Sequence, residues 1–103
     1  MIFDFRHAFS KDDAKVRLEA LGDYLHNRHG ISITWDGYRA AFNGRYLVIK
    51  IEGELLLEEN LVHCDGKDPG VLWRKKATDY LKKKLGAYLD PATSVEELPR
   101  GRE

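Results

Sequence analysis

The sequence contains a single cysteine, Cys64, so no disulfide can form within the chain. Secreted domains of this size usually depend on several disulfides, and the lone cysteine therefore favours a reducing compartment. Residues 1–6 also lack the basic start and apolar middle of a secretion signal. The longest apolar run, residues 46–49, is far shorter than the roughly 20 residues that a membrane span requires. These absences predict a cytoplasmic protein without a membrane span.

The chain has no excess of either charge, because it holds 17 Lys plus Arg and 17 Asp plus Glu. A neutral protein has no overall attraction to nucleic acid or to an anionic membrane. The hydrophobic fraction of 43% and the charged fraction of 33% are typical of a globular protein. A chain of 103 residues suffices for one domain with one core.

Motifs that carry chemistry are missing as well. No glycine opens a helix in a phosphate-binding pattern. His63 and Cys64 are adjacent, so in a strand they point to opposite faces and cannot act as base and nucleophile. Glu52 and Glu54 share a strand face that we expect to be exposed, where carboxylates keep a sheet soluble. We therefore expect no catalytic residue, no cofactor and no enzymatic activity, and we expect Cys64 to be a half-buried thiol without a role.

The remaining histidines favour structural roles. His26 and His29 lie three residues apart near a predicted helix end and could share a metal ion. Two histidines without a third ligand make a weak site, and the helix dipole favours cations at this end in any case. His7 precedes the same helix, where a structural hydrogen bond is favoured over proton transfer. We expect no metal site.

A helix is predicted over residues 11–29. Ser10 is placed as its N-cap with Asp13 in the N3 position, and Gly30 follows its last turn. Before it, residues 2–7 alternate loosely and predict a short strand. The buried stripe of the helix repeats at helical spacing: Ala14, Leu18, Leu21 and Leu25.

From residue 31 the apolar spacing changes to two, which predicts strands. Asp36-Gly37 and Asn43-Gly44 are hairpin turn signals, and they delimit a first and a second strand. The third strand is long, running over residues 47–58, and Gly53 in its middle predicts a bulge or a sharp bend. A turn at Glu59-Asn60 leads to a short fourth strand over residues 61–64.

The last helix is predicted to begin at Asp68 as N-cap with Pro69 at N1, and to reach about Leu89. Residues 1–89 then form one domain, and residues 90–103 are expected to be a mobile tail. The apolar side of this helix has seven members: Trp73, Ala77, Tyr80, Leu81, Leu85, Tyr88 and Leu89.

These elements predict an α+β domain of order (β)-α-β-β-β-β-α, with one curved antiparallel sheet and both amphipathic helices packed on one face. The expected core comprises Leu18, Leu21, Leu25, Ile33, Trp35, Phe42, Ile49, Ile51, Leu55, Trp73, Leu81 and Leu85. The opposite face is expected to carry Tyr46, Val48 and Leu56, together with Val62. This patch is a candidate surface for a homodimer or a ligand, although scattered exposed apolar residues more often have no role.

Charge is unevenly placed along the chain. The last helix carries six cations against Asp79: Arg74, Lys75, Lys76, Lys82, Lys83 and Lys84. The third strand and its turn carry Glu52, Glu54, Glu58 and Glu59. The candidate interaction surface is therefore basic and comprises Arg74, Lys75, Lys82 and Lys83. A solvated helix face is the alternative interpretation.

The order of several residues resembles a known family. The residues are His7, Ala14, Leu18, Leu25, Gly30, Trp35-Asp36-Gly37, Phe42 and Gly53. Together with the Lys-rich last helix, this order resembles the small bacterial polyhydroxyalkanoic acid system (granule-region) proteins over residues 5 to about 89. The resemblance implies a cytoplasmic accessory protein of polyhydroxyalkanoate metabolism, and it transfers no catalytic residue. Docking on a storage granule or on a granule-associated protein through the basic helix would fit this role.

Two other functions remain open. A small-ligand-binding or minor enzymatic domain would use the concave side of the sheet near Trp35 and Gly53. A deep pocket lined by polar groups would support this function, and a core filled with side chains would exclude it. A nucleic-acid binder through the basic helix ranks last, because the helix lacks the exposed aromatic residues that single strands usually need.

Overall fold

The computed structural model describes residues 1–46 and 48–103. Within these residues an α+β fold is confirmed, and it has the predicted order of elements. The elements are β1 (Ile2–Arg6), α1 (Lys11–His29), β2 (Ser32–Asp36), β3 (Arg39–Tyr46), β4 (Ile49–Glu58), β5 (Leu61–Gly66), α2 (Arg74–Tyr88) and a short 3₁₀ turn (Val95–Glu97).

The strands form one open antiparallel sheet in the order β1-β5-β4-β3-β2. β2 to β5 follow one another as hairpins, because each strand pairs with its neighbour in sequence. β1 adds to the far edge by pairing with β5, where Phe3 lies opposite Cys64. The N-terminal strand that the loose alternation predicts is therefore part of the sheet.

α1 forms as its sequence signals predict. The Ser10 hydroxyl accepts a hydrogen bond from the Asp13 N–H at 3.2 Å, which satisfies one of the free amides of the first turn. Gly30 ends the helix in the left-handed conformation. The predicted stripe is buried in the core: Ala14, Leu18, Leu21 and Leu25.

The predicted turn at Asn43-Gly44 is wrong. Both residues lie inside β3, where Asn43 pairs with Glu52 and Gly44 pairs with Ile51. A Cβ on Gly44 would lie 2.9 Å from the Ile31 Cα, so this glycine allows a close backbone approach rather than a turn. Leu47, placed by the sequence at the start of the third strand, lies outside the described residues.

Of the two alternatives predicted at Gly53, a bulge or a sharp bend, the bulge is wrong. Within the described strands, β4 pairs one-to-one with β3 on both sides of the Phe42–Gly53 pair. On its other side Gly53 lies opposite Gly66 of β5. β5 extends to Gly66, two residues further than predicted, and Val62 is fully buried on the helix side of the sheet rather than on the outer face.

α2 begins at Arg74 and not after Asp68 as predicted. The Asp68 carboxylate accepts the Gly70 N–H at 2.9 Å, which closes a local turn instead of capping the helix. Gly70 has a φ of 105°, a conformation that no helix contains. Within α2 only Leu85 and Tyr88 are buried, so the predicted apolar side is covered only toward its C-terminal end.

Residues 90–103, which the sequence predicts to be mobile, pack against α1. Leu98 is 5% exposed and belongs to the core cluster. Asn27 donates to the Arg100 carbonyl at 2.9 Å, and the Arg100 guanidinium lies 2.7 Å from the Asp23 carboxylate. The segment has few apolar residues, but one buried leucine and several backbone contacts are enough to hold it.

Candidate functional site

An open cleft of about 450 Å³ lies between the helix side of the sheet, α1 and the N-terminal half of α2. It exists because burial in α2 is confined to its C-terminal end. Residues predicted to fill the core line this cleft and are only half-buried: Ile33, Trp35, Ile49, Ile51, Trp73 and Leu81. The space between the helices and the sheet is therefore not completely filled by side chains. Its wall is mainly apolar, whereas the ligand-binding hypothesis anticipated polar groups.

The charged residues of the cleft lie at its rim. Lys50, Lys67 and Lys76 line it together with Glu52 and are exposed. The Glu52 carboxylate lies 3.1 Å from the Lys67 ammonium and 3.6 Å from that of Lys50. The hydrogen bond from Lys67 and the charge of Lys50 lower the pKa of Glu52, which keeps it ionised. With three lysines against one glutamate, this rim is positively charged.

His29 stands in a group of aromatic rings at the end of α1. Its ring centroid lies 5.2 Å from that of Tyr46 and 6.0 Å from that of Tyr24. The Tyr80 hydroxyl is 3.4 Å from His29 Nε2, and burial raises the pKa of that phenol. His26 is exposed beside this group. Among the described residues, no cluster of three or more His, Cys, Asp or Glu could hold a metal ion.

Two large apolar side chains are exposed just before α2. Val71 is 79% exposed and Leu72 is 83% exposed. The sequence pattern does not indicate their exposure, because both residues fall inside the predicted helix. The signal that could have found them is Gly70, since a glycine within the first turn of a predicted helix suggests that the helix begins later.

The first turn of α2 carries Arg74, Lys75 and Lys76 and no acidic residue. Cations at a helix N-terminus are disfavoured by the helix dipole. Trp73, at the N-cap, makes no side-chain capping hydrogen bond. Ion pairs of Arg74 with Asp68 and of Lys75 with Asp79 partly offset this effect.

The four residues of the predicted basic surface are all exposed on α2. Arg74 lies 2.5 Å from Asp68 and Lys75 lies 2.6 Å from Asp79, so both are in ion pairs. Lys82 and Lys83 have different surroundings. The Lys82 ammonium lies 5.2 Å from the Phe3 ring centre, and Lys83 is exposed.

The three residues proposed as a dimer or ligand patch do not come together. Tyr46 pairs with Ile49 on the helix side of the sheet. Val48 is 81% exposed at the turn after β3. Leu56 is half-buried on the opposite side, in register with His63.

Cys64 and His63 point to opposite faces of β5, as predicted. Cys64 is fully buried, not half-buried as predicted, and burial raises the pKa of its thiol to about 11. On the outer face, His63 Nδ1 lies 2.5 Å from the Asp4 carboxylate. His7 Nδ1 accepts a hydrogen bond from the Phe9 N–H at 3.0 Å, and burial lowers the pKa of His7. These contacts are structural in character.

We expect Cys64 to resist alkylation in the folded protein. At pH 8 the neutral thiol predominates because its pKa is about 11, and the thiolate is the reactive form. Iodoacetamide labelling followed by mass spectrometry should be slow in buffer at pH 8 and fast in denaturant at the same pH. Rapid labelling of the folded chain would contradict the buried position.

Within the described part of the chain, neither helix is long and apolar enough to cross a membrane. A family model described as "putative polyhydroxyalkanoic acid system protein" matches residues 2–92. No curated protein and no solved structure matches the chain.

Proposed function

Because this chain belongs to the polyhydroxyalkanoic acid system protein family, we propose that it is a non-enzymatic accessory protein that docks on the surface of polyester storage granules. The docking segment comprises Val71 and Leu72 with the first turn of α2, and we name it the docking loop. The exposure of these two side chains beside three cations is the observation that carries the proposal.

Apolar side chains beside cations are the combination by which proteins bind amphipathic, negatively charged surfaces. Val71 and Leu72 would insert, while Arg74, Lys75 and Lys76 would stay at the polar boundary. Ion pairing of Arg74 with Asp68 holds the loop against the helix start, so the two apolar residues are presented together. The unfavourable charge at this helix end is then offset when an anionic surface is bound.

Co-sedimentation with purified polyhydroxyalkanoate granules tests the proposal. The double variant Val71→Ser with Leu72→Ser should weaken binding by about tenfold or more, because burying both side chains contributes about 2 kcal/mol. Its stability should change little, since both residues are exposed. Ile2→Ser with Val16→Ser is the matched control, because these apolar residues are 68% and 46% exposed on other elements.

Two further co-sedimentation measurements test the role of charge and distinguish the granule surface from a granule protein. Lys75→Glu with Lys76→Glu should weaken sedimentation at low salt and have less effect at high salt, because exposed charges are screened. Granules washed free of their proteins should still bind the wild type. Absence of wild-type binding, or equal binding by the serine double variant, would reject the proposal. Binding to unwashed granules alone would replace it with a granule-protein partner.

A further inference from the structure

We propose that the cleft between the helices and the sheet binds a medium-length aliphatic carboxylate. This binding site shares Lys76 with the docking loop but does not include Val71 or Leu72, and it does not depend on granule association. Three properties of the cleft favour such a ligand: an apolar wall, a limited volume and a cationic rim.

The wall of the cleft suits a hydrocarbon chain. α1 contributes Leu18 and Leu21, β2 contributes Trp35, β4 contributes Ile51 and α2 contributes Leu81. Apart from the indole N–H of Trp35, these side chains offer no hydrogen-bond partner, so entry of a sugar or nucleotide would leave most of its polar groups unsatisfied. An alkyl chain would instead cover side chains that are half-exposed in the empty cleft.

The volume limits the length of the chain. A cavity of about 450 Å³ lies within the ~300–1,000 Å³ range of small-molecule sites. If each non-hydrogen atom takes about 30 Å³, as a water molecule does in the liquid, the cleft holds on the order of 15 of them. This size fits decanoate or dodecanoate. Butyrate would leave most of the wall uncovered, and palmitate would extend past the rim.

The rim selects the charge of the ligand. Of its three lysines, Lys50 and Lys67 share Glu52, which leaves the rim with an excess of positive charge. The Lys76 ammonium lies 5.5 Å from the Trp73 ring centre, whereas its neighbours Arg74 and Lys75 are in ion pairs with Asp68 and Asp79. A carboxylate at the mouth of the cleft would meet these ammonium groups while its chain lies inside.

Tryptophan fluorescence provides a direct measurement. The chain has two tryptophans, Trp35 and Trp73, and both line the cleft. Titration with decanoate below its micelle concentration should give a saturable change in emission. Butyrate and decyltrimethylammonium should each bind at least tenfold more weakly, the first for lack of chain and the second for its charge. Decanol should lie between decanoate and the cation.

Matched variants locate the ligand. Ala77→Phe places a ring in the cleft from α2 and should weaken decanoate binding at least tenfold, whereas Ala87→Phe, on the exposed side of the same helix, should not. Ile49→Phe is a second filling variant, for use if Ala77→Phe does not fold. Lys76→Gln should weaken binding of decanoate but not of decanol, and Lys83→Gln should affect neither.

The outcomes separate this proposal from granule docking. The serine double variant of the docking loop should bind decanoate as the wild type does, even if it no longer binds granules. The proposal is overturned if the wild type shows no saturable change with decanoate. It is equally overturned if the folded filling variants keep wild-type affinity, or if the cation binds as tightly as the carboxylate.

Discussion

Replacing Gly53 by alanine should lower the free energy of unfolding by about 3 kcal/mol or more, which is a large loss for a domain of this size. The added Cβ would lie 2.6 Å from the Gly66 Cα and 2.7 Å from the Asp65 carbonyl oxygen. Both atoms belong to the backbone of β5, which cannot move away without loss of ladder hydrogen bonds. Urea unfolding followed by circular dichroism measures the effect.

Gly66→Ala is the matched control, because Gly66 lies directly opposite Gly53 in the same strand pair. The closest neighbour of a Cβ at this position is the Met1 Cε at 3.0 Å, the end of a flexible side chain. We expect a loss of about 1 kcal/mol or less. If both substitutions lower the free energy of unfolding equally, then the close approach of the β5 backbone to Gly53 is not the cause of the loss.

Gly53 also bears on the shape of the cleft. The Phe42 Cζ would lie 2.6 Å from a Cβ on Gly53, and Phe42 lines the cleft. The bare glycine thus lets this ring lie close to the sheet. Even a chain that tolerated alanine would have to move the Phe42 ring, and the wall of the proposed carboxylate site would change with it.

Several elements could be predicted because their signals are local. The serine cap, the leucine stripe and the terminal glycine define α1 within one stretch of chain, and the structure keeps its bounds at Lys11–His29. Alternation with period two predicted the side of the sheet on which Leu55 is buried. The turn at Asn60, which has a φ of 62°, followed from its residue type.

The wrong predictions of secondary structure arose where the role of a residue depends on a contact with a residue distant in sequence. Asn43-Gly44 has the sequence of a turn, but Gly44 is required by the backbone of Ile31, a contact that no local pattern encodes. Asp68-Pro69 has the sequence of a helix start, but Gly70 interrupts it. A glycine can serve a turn, a helix end or a close approach, and only the tertiary structure distinguishes these roles.

The candidate site was even less predictable. Hydrophobic periodicity tells which side of an element faces inward, but it does not tell whether the space there is filled. Ile51 and Leu81 have the pattern of core residues and face the cleft. The exposed pair Val71 and Leu72 falls inside the predicted last helix, so the pattern does not mark it as an exposed loop. The docking loop depends on the start of α2 at Arg74 and not at Pro69. The cleft depends on the space that is left between α2 and the sheet.

The packing of residues 90–103 depends on Arg17, a nearly buried cation at 6% exposure. Its guanidinium donates to the carbonyls of Tyr88 at 3.2 Å, Asp90 at 3.1 Å and Thr93 at 2.6 Å. It also lies 4.2 Å from the ring centre of Phe9. One side chain from α1 therefore satisfies the free carbonyls at and beyond the end of α2 and directs the following chain along α1.

Arg17→Met should consequently lower the free energy of unfolding by about 2–4 kcal/mol, because it keeps most of the packing volume but leaves buried carbonyls without donors. Hydrogen exchange should become faster in residues 90–103 before it does in β4. Arg28→Met is the control, since Arg28 donates to the Glu103 carbonyl at an exposed position and should cost less than about 1 kcal/mol. If the two variants lose equal stability, then Arg17 does not hold the segment, and the burial of Leu98 must do so.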